Sequence, residues 1–168
     1  MAKSSSDPKP TGDLALPAGA RIACVHSTYH ADLIERMLDS ARSVLSEAGL
    51  GDADRLEVSV PGAFELPIVA QRLAQRTDVY AVLCFGLVLR GETDHDRYIS
   101  SSVASALQTI GLETKTPVLF GLLTPNTLEQ ARARALPEDE GGQDKGREVA
   151  RAAVEVLVAL ERAERVGR

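Results

Sequence analysis

The chain has 168 residues, 44% of them apolar and 26% charged, with a net charge of −5, 4% aromatics and no Trp. That is one domain of ordinary size with enough apolar residues for a true core. The acidic balance argues against nucleic acid as a main partner, because phosphate-backbone contacts need a basic face, although a local basic pocket for one small phosphate stays open.

No apolar run reaches membrane-spanning length and the first residues carry no hydrophobic signal core, so a cytoplasmic protein without a membrane partner is expected. Met1 to Pro17 is polar, with Ser4-Ser5-Ser6 and several Pro, and reads as a flexible tail; residues 18–168 then form a single domain. Arg21 to Val25 is a short apolar strand. Ala31 to Ala48 has helical spacing at Leu33, Ile34, Met37, Leu38, Ala41 and Leu45, and Gly49 and Gly51 stop it. Arg55 to Val60 is the next strand. Pro61-Gly62 is a turn, and Phe64 to Ala74 reads as a helix with Pro67 near its start.

Val79 to Leu89 is apolar on both faces, the pattern of a parallel strand covered on two sides. A helix follows from Thr93 to Ile110, with Thr93 as N-cap and Asp96 completing an acidic variant of the capping box. Val118 to Leu123 is a strand, Thr127 to Ala135 a short helix, and Pro137 to Asp144 a polar loop. The last helix, Lys145 to about Arg162, carries its apolar stripe through Val149, Ala153, Val154, Leu157 and Leu160. The fold class expected from this alternation is α/β: a three-layer sandwich with a four-stranded parallel sheet flanked by helices.

Cys24 and Cys84 lie inside apolar runs and form no CxxC pair, so both read as buried free thiols. The histidines at 26, 30 and 95 lack metal-site spacing; no Walker sequence, full dinucleotide fingerprint or nucleophile elbow is present. No metal site is expected.

Ligands of such sheets bind at the carboxyl ends of the strands, and three candidate segments fall there. The chief one is Arg90 to His95. Gly91 allows close backbone approach, the free N–H groups of a helix start form an anion site, and His95 beside them can move protons. The bland reading is an exposed helix-start histidine with Glu92 and Thr93 serving only as caps. After the second strand, Phe64 could stack on a flat heterocycle and Glu65 could accept hydrogen bonds; taken alone, a core Phe and a first-turn Glu are the commoner case. After the first strand, Tyr29 could wall a ligand or half-cover the core, and His26 reads as structural. Arg132 or Arg134 could reach an anion, against a solvated helix face.

The segments VPGAFELP (Val60 to Pro67), GLVLRGETDH (Gly86 to His95), PVLFGLLT (Pro117 to Thr124), EQARAR (Glu129 to Arg134) and DKG (Asp144 to Gly146) together closely resemble the 6,7-dimethyl-8-ribityllumazine synthase family, in register from about Arg21 to Ala163. The resemblance implies a flavodoxin-like domain of riboflavin biosynthesis. Its reaction condenses 5-amino-6-(D-ribitylamino)uracil with 3,4-dihydroxy-2-butanone 4-phosphate, giving the lumazine, phosphate and water without a cofactor. It also implies a homo-oligomer built on pentamers, with sites shared between subunits and, in some members, closure into decamers or 60-subunit icosahedral shells.

By position, the resemblance makes Tyr29 the aromatic stacked on the pyrimidine, and Ala63, Phe64 and Glu65 the segment for the ribityl chain and ring. Leu87, Val88 and Leu89 become the backbone contacts to the pyrimidine, Glu92 and Thr93 the phosphate turn, and His95 the catalytic proton-transfer residue. Phe120 and Arg134 become residues delivered from the adjacent subunit, Arg134 to the phosphate, with Lys145 adding charge nearby. The chain departs from the family pattern at Thr28-Tyr29-His30, at Asp96-Arg97 and at Leu136, where the family has Arg-Phe/Trp-Asn, Phe then an acid, and Gly. Two other readings compete: a non-catalytic flavin- or lumazine-binding or shell-forming protein of the same fold, and an unrelated phosphate-binding module of flavodoxin type.

Overall fold

The computed structural model describes residues 16–166. The expected tail lies outside the described residues up to position 15; Leu16 packs, partly buried, against the core. The chain runs β1 (Arg21–Ser27), α1 (Ala31–Glu47), β2 (Arg55–Val60), α2 (Leu66–Ala74), β3 (Val79–Leu87), α3 (His95–Thr114), β4 (Val118–Leu123), α4 (Leu128–Ala135) and α5 (Lys145–Arg165), with short 3-10 turns at Asp52–Asp54, Ala63–Glu65 and Glu138–Glu140. The strands pair in parallel in the order β2-β1-β3-β4.

Alternation along the inner strands divides the core between two faces. Ile22, Cys24, Leu83 and Phe85 point into one cluster with Leu33, Ile34, Met37 and Leu38 of α1, Ala131 of α4 and Val149, Ala153 and Val154 of α5. Ala23, Val25, Val82 and Cys84 point into the other, with Leu66 and Ala70 of α2 and Val103, Leu107 and Ile110 of α3. Three layers result, as the apolar β3 run requires. Both cysteines are buried free thiols, one on each face, and burial pushes the Cys24 thiol up to about 12.

Several boundaries differ from the sequence expectation by a few residues, and two of them shape the carboxyl end of the sheet. β3 ends at Leu87, yet the chain beyond it still tracks β4: the Val88 N–H donates to Leu123 O at 2.8 Å, and the Arg90 N–H to Pro125 O at 3.1 Å. The helix expected from Phe64 begins at Leu66, because Ala63–Glu65 takes a tighter 3-10 turn first. That turn can settle onto the sheet because of Gly86. A Cβ there would stand 2.7 Å from Leu122 Cδ1, 3.1 Å from Leu66 Cδ1 and 3.5 Å from Ala63 Cβ.

α1 is tied to the edge strand β2 by Arg42. Its Nε and Nη2 donate to Glu57 Oε1 and Oε2 at 2.8 and 2.6 Å, and its Nη1 meets Glu35 and Asp39. This fork holds the Glu57 carboxyl below its ordinary value of 4.5, with burial opposing. A carboxyl whose folded titration is depressed adds stability above its unfolded value and loses it as pH falls through the folded one. Glu57→Gln is therefore expected to be less stable than the parent at neutral pH, with the gap closing below about pH 4 in urea unfolding at stepped pH. Parallel pH profiles for the two proteins would contradict this.

Candidate active site

The carboxyl end of the sheet gathers the candidate residues from four loops. After β1, the Thr28 N–H donates to Val60 O at 2.9 Å and Thr28 Oγ1 to Pro61 O at 3.1 Å, which anchors this loop to the end of β2. Tyr29 follows, 69% exposed, its ring edge-on to His30 at 5.5 Å between centroids. His30 precedes α1 in the left-handed region (φ 55°), so the turn reverses there and leaves Tyr29 projecting.

After β2, Ala63 is buried against the sheet while Phe64 is 62% exposed. Phe64 is thus not a core residue; its ring borders an apolar groove of about 450 Å³ between α2 and α3, with Pro67, Ile68, Ala106 and Ile110. Glu65 is half-buried. Its carboxylate folds back over the turn, since a Cβ on Gly62 would lie 3.0 Å from Glu65 Oε2.

After β3, Leu87 is buried and Val88 and Leu89 half-buried, with Val88 held by Leu123 O. Arg90 Nη1 stands 3.5 Å from Asn126 Oδ1. The segment from Gly91 to His95 is exposed throughout, and a Cβ on Gly91 would meet nothing closer than 4.0 Å, so the space beside that backbone is open.

The helix begins at His95 rather than Thr93. Asp94 is its N-cap and makes no side-chain cap bond. Thr93 therefore does not cap it, and the expected capping box with Asp96 is not formed. The chain spends Glu92 to Asp94 on bends and a turn before the helix, which puts Thr93 one residue ahead of the N-cap position that Asp94 takes. Asp96 Oδ1 lies instead 3.5 Å from the Gly91 N–H.

After β4, Thr127 does cap α4: its Oγ1 accepts from the Gln130 N–H at 3.2 Å, while Gln130 Oε1 accepts from the Asn126 N–H at 2.9 Å. These two bonds fix the entry to the helix that carries Arg132 and Arg134. Arg134 lines a small pocket of about 210 Å³ with Leu122, Leu123, Thr124, Gln143, Lys145 and Glu148. Arg132 does not border it. Phe120 is 42% exposed on β4, at the edge of the sheet.

Within one chain, then, two groups of candidates form. Tyr29, Phe64, Glu65 and the Gly91–His95 turn lie on the loops after β1, β2 and β3. Arg134 and Lys145 lie beyond β4, in a pocket whose lining includes neither Thr93 nor His95. Glu148 was not singled out by the sequence reading, although its spacing three residues after Lys145 was a signal; its Oε1 lies 2.6 Å from Lys145 Nζ. Asn126, the partner of Arg90, had no signal in the sequence. Among the described residues, no group of three or more His, Cys, Asp or Glu side chains could hold a metal ion, and no helix is long and apolar enough to cross a membrane.

The profile of the 6,7-dimethyl-8-ribityllumazine synthase family matches residues 19–161. The chain belongs to that family. Three relatives carrying the name 6,7-dimethyl-8-ribityllumazine synthase illustrate the likeness. The Thermus thermophilus protein is 39% identical over 156 residues, 92% of this chain and 96% of its own length. The Salinibacter ruber protein is 39% identical over 153 residues, 91% of this chain and 96% of its own. The Mycolicibacterium vanbaalenii protein is 43% identical over 143 residues, 84% and 87% respectively. The lumazine synthase match spans β1 to α5 and so includes every loop described above.

Proposed function

We propose that this protein performs the lumazine synthase reaction of riboflavin biosynthesis. It joins 5-amino-6-(D-ribitylamino)uracil to 3,4-dihydroxy-2-butanone 4-phosphate and releases 6,7-dimethyl-8-ribityllumazine, phosphate and water. The observation that carries this reading is the open Gly91–His95 turn at the carboxyl end of β3. There, unobstructed backbone and an imidazole at the first residue of a helix stand together, in a chain of the synthase family. The names of the relatives favour a synthase over a non-catalytic flavin- or lumazine-binding protein.

In this reading the pyrimidine stacks on Tyr29 and meets the backbone of Leu87, Val88 and Leu89. Ala63, Phe64 and Glu65 receive the ribityl chain and ring. The uracil's 5-amino group attacks the ketone, and an imine forms with loss of water. Phosphate then leaves, stabilised by the N–H groups around Glu92 and Thr93 and by a guanidinium. Closure by the ribitylamino nitrogen and a second dehydration finish the ring, with His95 carrying protons. No cofactor takes part. Holding both reactants in register accounts for much of the rate.

The guanidinium is Arg134 of a neighbouring subunit in a pentamer, with Phe120 delivered from the same neighbour. Support comes from the place of Arg134 beyond β4, in a pocket lined by neither Thr93 nor His95, and from the apolar surface that a lone chain leaves exposed at Phe64, Ile68 and Phe120. Decamers or a 60-subunit shell would be built from such pentamers, as the family resemblance suggests. The reaction is placed in the cytoplasm, whose reducing conditions suit two free thiols.

Sharing of sites is tested by complementation. His95→Ala and Arg134→Ala proteins are each expected to be poorly active. Dissociated, mixed in equal amounts and reassembled, they should regain about a quarter of the parental sites, since a quarter of the interfaces pair an intact His95 with an intact Arg134. A mixture no more active than its parts would place both residues in one subunit's site.

A further inference from the structure

The phosphate turn already holds an anion of its own. The carboxylate of Asp96 approaches the Gly91 N–H with Oδ1 at 3.5 Å, from the second residue of α3. Neither Asp94, the N-cap, nor Thr93 caps that helix end. A carboxylate in this place gains from the positive end of the helix and from the N–H donor, and both would also attract an incoming phosphate. Two anions at one donor repel each other. The contact is long and the residue only half-buried, so the carboxylate can be displaced without breaking packed structure.

Resting on the proposed reaction, we infer that Asp96 is an internal competitor for the phosphate turn: it occupies the Gly91 N–H in the free enzyme, yields it to the substrate phosphate, and reclaims it as inorganic phosphate departs. It sets phosphate affinity without touching the reacting carbons. Its effect falls on the KM of the phosphate substrate and on product inhibition; the pyrimidine is unaffected. The cost to substrate binding is matched by faster release of a product that would otherwise linger on the same donors.

The test is a calorimetric titration of the assembled protein with inorganic phosphate, which requires no turnover, beside steady-state kinetics for both substrates. Asp96→Asn keeps an oxygen that can accept from Gly91 and removes the charge; Asp96→Ala removes both. Both variants are expected to bind phosphate about two- to fivefold more tightly than the parent at low salt, as expected for losing one exposed like charge. The difference should vanish near 1 M salt, where screening acts over about 3 Å. The pyrimidine KM should not move.

Unchanged or weaker phosphate binding by Asp96→Asn overturns the inference. So does a gain that persists at high salt, which would point to altered turn geometry rather than charge. A parent that binds phosphate and makes no lumazine would instead sink the proposed reaction, and the phosphate titrations would still decide the role of Asp96.

Discussion

Alanine in place of Gly146 is expected to lower the thermal midpoint by about 6–12 °C, from a loss of about 3 kcal/mol or more. Two effects oppose each other. Gly146 is the second residue of α5, where alanine would ordinarily favour the helix by at most about 1 kcal/mol. But α5 packs there directly on the backbone of α1. A Cβ would overlap the Met37 carbonyl and lie 2.7 Å from Met37 Cα, with no flexible side chain to move aside. The overlap wins, and the helices must separate beside Leu38, Val149 and Ala150 in the core. Gly51→Ala is the control: its Cβ would meet only Asp54 Oδ2, at 3.6 Å, and stability should change by less than about 0.5 kcal/mol. A scanning-calorimetry midpoint for Gly146→Ala equal to that control would show that the close approach of α1 and α5 is not as described.

His95→Ala is expected to lower turnover by about a hundredfold while changing both KM values far less. His95 opens α3 and is exposed, so its removal leaves no cavity and no broken core contact. What disappears is a proton carrier. The residual rate reflects two reactants held together and a stabilised leaving phosphate, which do not need the imidazole. Stopped-flow formation of the lumazine chromophore, with unfolding curves for parent and variant, separates chemistry from stability. Unchanged turnover would remove His95 from the mechanism.

Much of the fold was legible from the sequence because burial on two faces leaves a plain signature. β4 begins and ends where its apolar run does, and the all-apolar run beginning at Val79 marks an inner strand. The misses came where tertiary geometry overrides local preference. Thr93 looked like an N-cap by residue type, but bends and a turn over Glu92 to Asp94 delay the helix, and Asp96 turns to Gly91 instead. The apolar run carries on to Leu89 although β3 ends at Leu87, because periodicity does not tell a ladder strand from a segment that merely tracks its neighbour. The residue types of the candidate site were legible too, but not their exposure. Phe64 in isolation reads as core, and only the 3-10 turn before α2 sets it outward. The link from Arg90 to Asn126 spans 36 residues and no local pattern announces it.

Whether the protein makes the lumazine is read from one coupled assay. Purified protein is given both substrates, lumazine absorbance and fluorescence are followed, and phosphate is measured in the same samples. Lumazine and phosphate are expected in equal amounts, well above the uncatalysed background, with the rate saturating in each substrate. Background-level formation despite binding of the pyrimidine or a flavin would contradict the proposed reaction, and would leave a binding protein built on a synthase fold.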